Sequence, residues 1–143
     1  MFYFLDTSAL VKRYHQELGT EVVDSLFTTA DVSFVTCSFV LLETIVVLKK
    51  LRKKGFITAE EFNDAFWQFQ TECESKIKII DIYSFHIISA RQLVLKYDFS
   101  AGDALILASA TSMLREKPVF VCADETLLRV AKESGLNTLN PAE

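Results

Sequence analysis

Phe2-Tyr3-Phe4-Leu5-Asp6-Thr7-Ser8-Ala9-Leu10-Val11 is an aromatic and aliphatic run that passes, through three polar residues, into a helix-period pattern. The first four residues read as a strand. Asp6, Thr7 and Ser8 read as capping residues that open a helix to about Tyr14. The same step recurs outward from this stretch. A helix is expected from Thr20 to about Thr28, a strand at Val32–Val35, and a long helix capped by Ser38 and stopped by Gly55. Thr58 with Glu61 forms a capping-box signature for a helix to about Cys73. A strand at Lys76–Ile80 precedes a helix from about Tyr83 to Lys96. Ser100 and Asp103 open another helix, to about Glu116. A strand at Pro118–Cys122, a helix at Glu125–Ser134 closed by Gly135, and a short strand at Leu136–Leu139 complete the chain. Such alternation predicts an α/β three-layer sandwich: a mostly parallel sheet of four or five strands with helices on both faces.

The 143 residues fit a single domain, 1–143, and half of them are apolar. With 2 prolines and 4 glycines the chain is not of a disordered type. A net charge of −4 speaks against a general polyanion binder, which carries a basic excess. Cys37, Cys73 and Cys122 have no zinc or redox spacing and read as small buried hydrophobes. Reduced thiols and an N-terminus that reaches Asp6 too soon for a signal peptide point to a cytoplasmic protein. The apolar run Phe39–Leu48 is too short to span a membrane. The mean hydropathy of +0.25 is high for so small a domain and points to a partner or self-association.

The placement of the acids carries the chemistry. Asp6 is the only charged side chain between Met1 and Val11, Glu43 the only one between Val32 and Leu48, and Asp103 the only one between Phe99 and Leu114. Asp124 follows the uncharged segment Pro118–Ala123. A carboxylate inside core-like sequence is costly unless it is paired or binds a cation. Asp6 and Asp124 follow strands, where parallel sheets bind ligands. Each could serve simply as a helix cap, as could Asp103; Glu43, within an apolar helix, has no capping role. Four converging oxygen donors suit Mg²⁺ or Mn²⁺, as one or two ions. Asp81 and Asp98 have Lys78 and Lys96 nearby and read as solvated or capping residues.

These motifs resemble those of PIN-domain nucleases. Phe4-Leu5-Asp6-Thr7-Ser8-Ala9-Leu10-Val11 matches the first motif, Leu42-Glu43 the second, Gly102-Asp103-Ala104-Leu105-Ile106-Leu107-Ala108 the third, and Cys122-Ala123-Asp124-Glu125-Thr126-Leu127-Leu128 the fourth. All four occur in order over nearly the whole chain, and the opening is most like the VapC-type toxins of toxin–antitoxin pairs. The resemblance implies a metal-dependent endoribonuclease with Asp6, Glu43, Asp103 and Asp124 as catalytic and metal-binding residues. Thr7 and Ser8 would support the site, and an antitoxin protein and a homodimer mate would be its partners. Where relatives carry Thr or Ser two residues before the last acid, this chain has Cys122.

For the RNA, Lys12 and Arg13 lie two helical turns beyond Asp6, and Lys49, Lys50, Arg52, Lys53 and Lys54 end the Glu43 helix. That run also suits a helix C-terminus facing solvent. Phe62, Phe66 and Phe69, with Trp67, read as core packing or as a groove for a partner. His15 and His86 have no partner pattern. Other classes fit less well. A phosphatase acting through an aspartate needs a second acid where Ser8 stands. A housekeeping RNA-processing PIN nuclease, or a PIN-fold module that only binds, remain the alternatives.

Setting four of the 19 acids aside leaves 15 against 15 bases. The whole net charge then belongs to the expected cation site.

Overall fold

The computed structural model describes residues 1–143. It contains β1 (Phe2–Leu5), α1 (Thr7–Tyr14), α2 (Thr20–Thr28), β2 (Ser33–Cys37), α3 (Ser38–Lys53), α4 (Ala59–Ser75) and β3 (Ile77–Ile80). These are followed by α5 (Ser84–Lys96), α6 (Ala101–Thr111), β4 (Val119–Val121), α7 (Glu125–Glu133) and β5 (Asn137–Leu139). All strand pairs are parallel, in the order β3-β2-β1-β4-β5. The result is the expected three-layer α/β sandwich. No helix is long and apolar enough to cross a membrane.

The central strand is β1, whose Phe4 and Leu5 are fully buried. Phe4 packs on Phe120 of β4 with ring centroids 5.9 Å apart. On the other side the Thr36 hydroxyl donates to the Leu5 carbonyl at 2.7 Å. Chain order runs outward from β1 to β2 and β3, then returns to β4 on the opposite flank. The crevice between β1 and β4 is therefore the switch point of the sheet.

Several boundaries moved for identifiable reasons. The expected Ser38 cap is a correction: Ser38 is already helical, and Cys37 caps α3 without a side-chain bond. The expected helix to Glu116 stops at Thr111, and a separate one-turn 3₁₀ helix spans Leu114–Glu116. Ser109, Thr111 and Ser112 all donate to nearby carbonyls there, which competes with regular helix. The Thr58–Glu61 capping box is present, and Gly55 takes φ +81°, the left-handed conformation its helix stop requires. His86, without an assigned role in the sequence, is 1% exposed and accepts the Tyr83 N–H on Nδ1 at 2.9 Å, capping α5. Cys37 and Cys122 are buried, Cys73 half-buried, and all three are free thiols. Of the aromatic set, Phe69 joins the core, Phe62 and Phe66 are half-buried, and Trp67 is exposed.

Candidate functional site

Three helices that begin at the carboxyl edge of the sheet do so on capping side chains, and two of the caps are acids. Asp6 accepts the Ser8 N–H at 3.2 Å, Asp124 accepts the Leu127 N–H at 2.9 Å, and Ser100 accepts the Asp103 N–H at 3.1 Å. The Asp6 N–H donates to the Val121 carbonyl at 3.0 Å, which extends the β1–β4 ladder by one step. This bond brings the ends of the two strands together. Glu43 approaches from the second turn of α3.

Asp6, Glu43, Asp103 and Asp124 line one open cavity of about 410 Å³, together with Thr7, Ser8, Lys12, Glu17 and Lys50. The four acids differ in setting. Asp6 is 4% exposed, Glu43 and Asp103 are half-buried, and Asp124 is on the surface. Burial raises the Asp6 carboxyl above its ordinary range, against the hydrogen bonds it accepts from Ser8. Burial also raises Asp103, and the Asp124 charge adds to it, while Ser100 opposes.

The donor chemistry fits a divalent cation. Every candidate ligand atom is a carboxylate oxygen, the type that hard cations prefer. Asp6 Oδ1, Asp124 Oδ2 and both Glu43 oxygens have no hydrogen-bond partner. The Thr7 hydroxyl is buried at the cavity, also without a partner. Five carboxylates face two lysines, and Lys12 is already paired with Glu17 at 2.9 Å. As the side chains stand, no three carboxylates, imidazoles or thiols are close enough to hold an ion.

Gly102 was part of a quoted motif but had no assigned role. A Cβ there would meet the Phe39 ring at 2.7 Å and Glu43 Oε2 at 3.3 Å. The missing side chain lets the start of α6 approach α3, so that Asp103 and Glu43 line the same cavity. Gly102→Ala is expected to cost about 1–3 kcal/mol in urea unfolding by overpacking.

The basic residues separate. Lys12 and Lys50 line the cavity. Lys49, Lys53 and Lys54 are exposed away from it, and Arg52 lies over the Phe62 ring at 5.7 Å. Arg13, expected at the RNA, is engaged within the fold. Its guanidinium bonds Asp24 at 2.8 Å and Glu72 at 3.2 and 2.8 Å, and stacks over Phe27. Asp24 and Glu72 lie 11 and 59 residues away in sequence, which no local pattern reveals. Glu17 was missed for a similar reason, since nothing in its own neighbourhood marks it.

The PIN-domain family model matches residues 3–133. No curated protein matches the sequence. Among solved structures the chain is similar to VapBC2 from Rickettsia felis bound to promoter DNA, at 18% identity and a TM-score of 0.67, covering 98% of each chain. It is similar to PAE2754 from Pyrobaculum aerophilum at 17% identity and a TM-score of 0.68, covering 96% of this chain and 83% of that one. FitAcB from Neisseria gonorrhoeae aligns at 16% identity and a TM-score of 0.63, over 99% and 98% of the two chains. At these identities the likeness is one of fold.

Proposed function

Because the chain belongs to the PIN-domain family, we propose that it is a metal-dependent endoribonuclease, the toxin of a toxin–antitoxin pair. The observation that carries this reading is the gathering of Asp6, Glu43, Asp103 and Asp124 around one cavity at the sheet's switch point. These four would hold one or two Mg²⁺ or Mn²⁺ ions. When bound, the metal supplies Lewis-acid activation of water and offsets charge at the phosphate.

The chain's own residues do the rest. Ser8 donates its hydroxyl to Asp6 Oδ2 and holds that carboxylate in place. Lys50, exposed at the rim, draws the RNA phosphate toward an otherwise negative cleft. The Lys12–Glu17 pair lies in the same wall, where Lys12 can exchange Glu17 for a phosphate oxygen. The test is cleavage-site mapping on total cellular RNA with Mg²⁺ or Mn²⁺. Discrete cuts that vanish with EDTA and return with metal are expected. Cleavage that persists in EDTA overturns the reading.

Two apolar surfaces support the partners. Ile87, Ile88, Val94 and Leu95 are 45, 57, 45 and 79% exposed and share one stripe of α5. With Ala101 and Leu105 of α6 this stripe borders an apolar groove of about 370 Å³. A second copy of the chain is the proposed occupant. Leu95→Glu is expected to convert a dimer to monomer in sedimentation, without loss of fold. The antitoxin is assigned to the α3–α4 side. There Leu42, Val46 and Trp67 are exposed, and Val46 is part of the cleft wall.

A further inference from the structure

Cys122 stands where the family that the sequence resembles often carries Thr or Ser. The structure gives the thiol a definite set of partners. Leu5 pairs with Val121, so Cys122 stands one step beyond, beside Asp6. It is fully buried. Its Sγ accepts the Asp124 N–H at 3.3 Å and lies 3.7 Å from the Ser8 hydroxyl. That hydroxyl accepts the Ala123 N–H at 2.9 Å and donates to Asp6 Oδ2.

The proton inventory is restrictive. Ser8 has one hydroxyl proton, and a carboxylate can only accept, so the proton lies toward Asp6. The Ser8 lone pairs then serve Ala123 and face the thiol. Sulfur keeps its own lone pairs for the Asp124 amide, and its proton points to the Asp124 carbonyl at 3.8 Å. Two consecutive amides of the turn after β4 are therefore held by two side chains. One of these, Ser8, also holds Asp6.

We propose that Cys122 is a positioning residue, which with Ser8 fixes the turn carrying Asp124 against Asp6 and sets the spacing of these two carboxylates. The proposal rests on the metal-dependent reading above for its functional consequence, but its geometry stands apart from it. The simpler role, a buried hydrophobe among Leu5, Val121 and their neighbours, predicts different behaviour on substitution.

The test compares Cys122→Ala with Cys122→Ser in the full chain, with thermal melting to establish that both fold. In metal-free protein, amide exchange at Asp124 is expected to be about tenfold faster in Cys122→Ala and near wild type in Cys122→Ser, because a hydroxyl also accepts the amide. Calorimetry with Mn²⁺ is expected to show affinity about tenfold weaker in Cys122→Ala and largely restored in Cys122→Ser. Unchanged Asp124 exchange in Cys122→Ala, or equal losses in the two variants, overturns the positioning role. A wild type that binds no Mn²⁺ overturns the metal reading, while the exchange result still decides the geometry.

Discussion

Asp103→Asn is expected to lower RNA cleavage by at least about a hundredfold. The substitution keeps the shape of the side chain and removes the charge. Asp103 stands in the first turn of α6, where the cap is Ser100 and not Asp103, so the helix start survives. Stability moves in the opposite direction from activity. Burial and the Asp124 charge raise the Asp103 carboxyl in the folded chain. An acid raised on folding binds its proton more tightly in the native state, so its ionisation destabilises the fold as pH climbs past the ordinary carboxylate value. The Asn variant lacks this penalty and is expected to melt at or above the wild-type temperature near neutral pH. Mn²⁺ is expected to raise the wild-type melting temperature and to raise that of the variant less. Metal-dependent cleavage at the wild-type rate by Asp103→Asn would exclude Asp103 from the site.

Arg13→Met is expected to be the most damaging single change to the fold, at about 3–5 kcal/mol in urea unfolding and a loss of about 10 °C. Arg13 and Glu72 form a two-bond pair whose side chains are 17 and 7% exposed. Removing the cation leaves Glu72 buried, with only Lys76 at 3.6 Å. Burial alone would raise the Glu72 carboxyl; the Arg13 hydrogen bonds and charge outweigh it and hold the group below its ordinary range. A depressed acid stabilises the fold above its unfolded value, and that stability is lost as pH falls through the folded value. Wild type is therefore expected to lose stability on acidification through this range, and Arg13→Met to lose much less. Arg13→Met/Glu72→Met is expected to recover most of the loss, because no unpaired charge remains.

The two variants separate what a sequence reveals from what it conceals. Asp6, Glu43 and Asp103 were legible because each interrupts a long uncharged stretch, and the cost of such burial is local. The strand–helix alternation was legible for the same reason. Asp124 was found by its place after a strand, yet it lies on the surface and owes its position to capping α7. What escaped depends on contacts between distant residues. Arg13 reads as a free cation until Glu72 is folded beside it. Gly102 gains its meaning only when Phe39 arrives from α3. Cys122 looks apolar because its hydrogen-bonding partners are Ser8, 114 residues away, and a backbone amide that no sequence pattern displays. His86 looked incidental because an imidazole seldom serves as a helix cap.

The central place of β1 has a consequence for synthesis. Of the five strands, the earliest in sequence is the central one, and its second edge is covered only by β4, near residue 121. Until then the chain exposes a buried-type strand along one side, a surface prone to pairing with other chains. Asp124 emerges only three residues after that edge closes. A fragment that stops short of β4 thus lacks both the second partner of β1 and the fourth carboxylate. On the ribonuclease reading, such a fragment would hold no full acidic quartet and is expected not to cleave RNA.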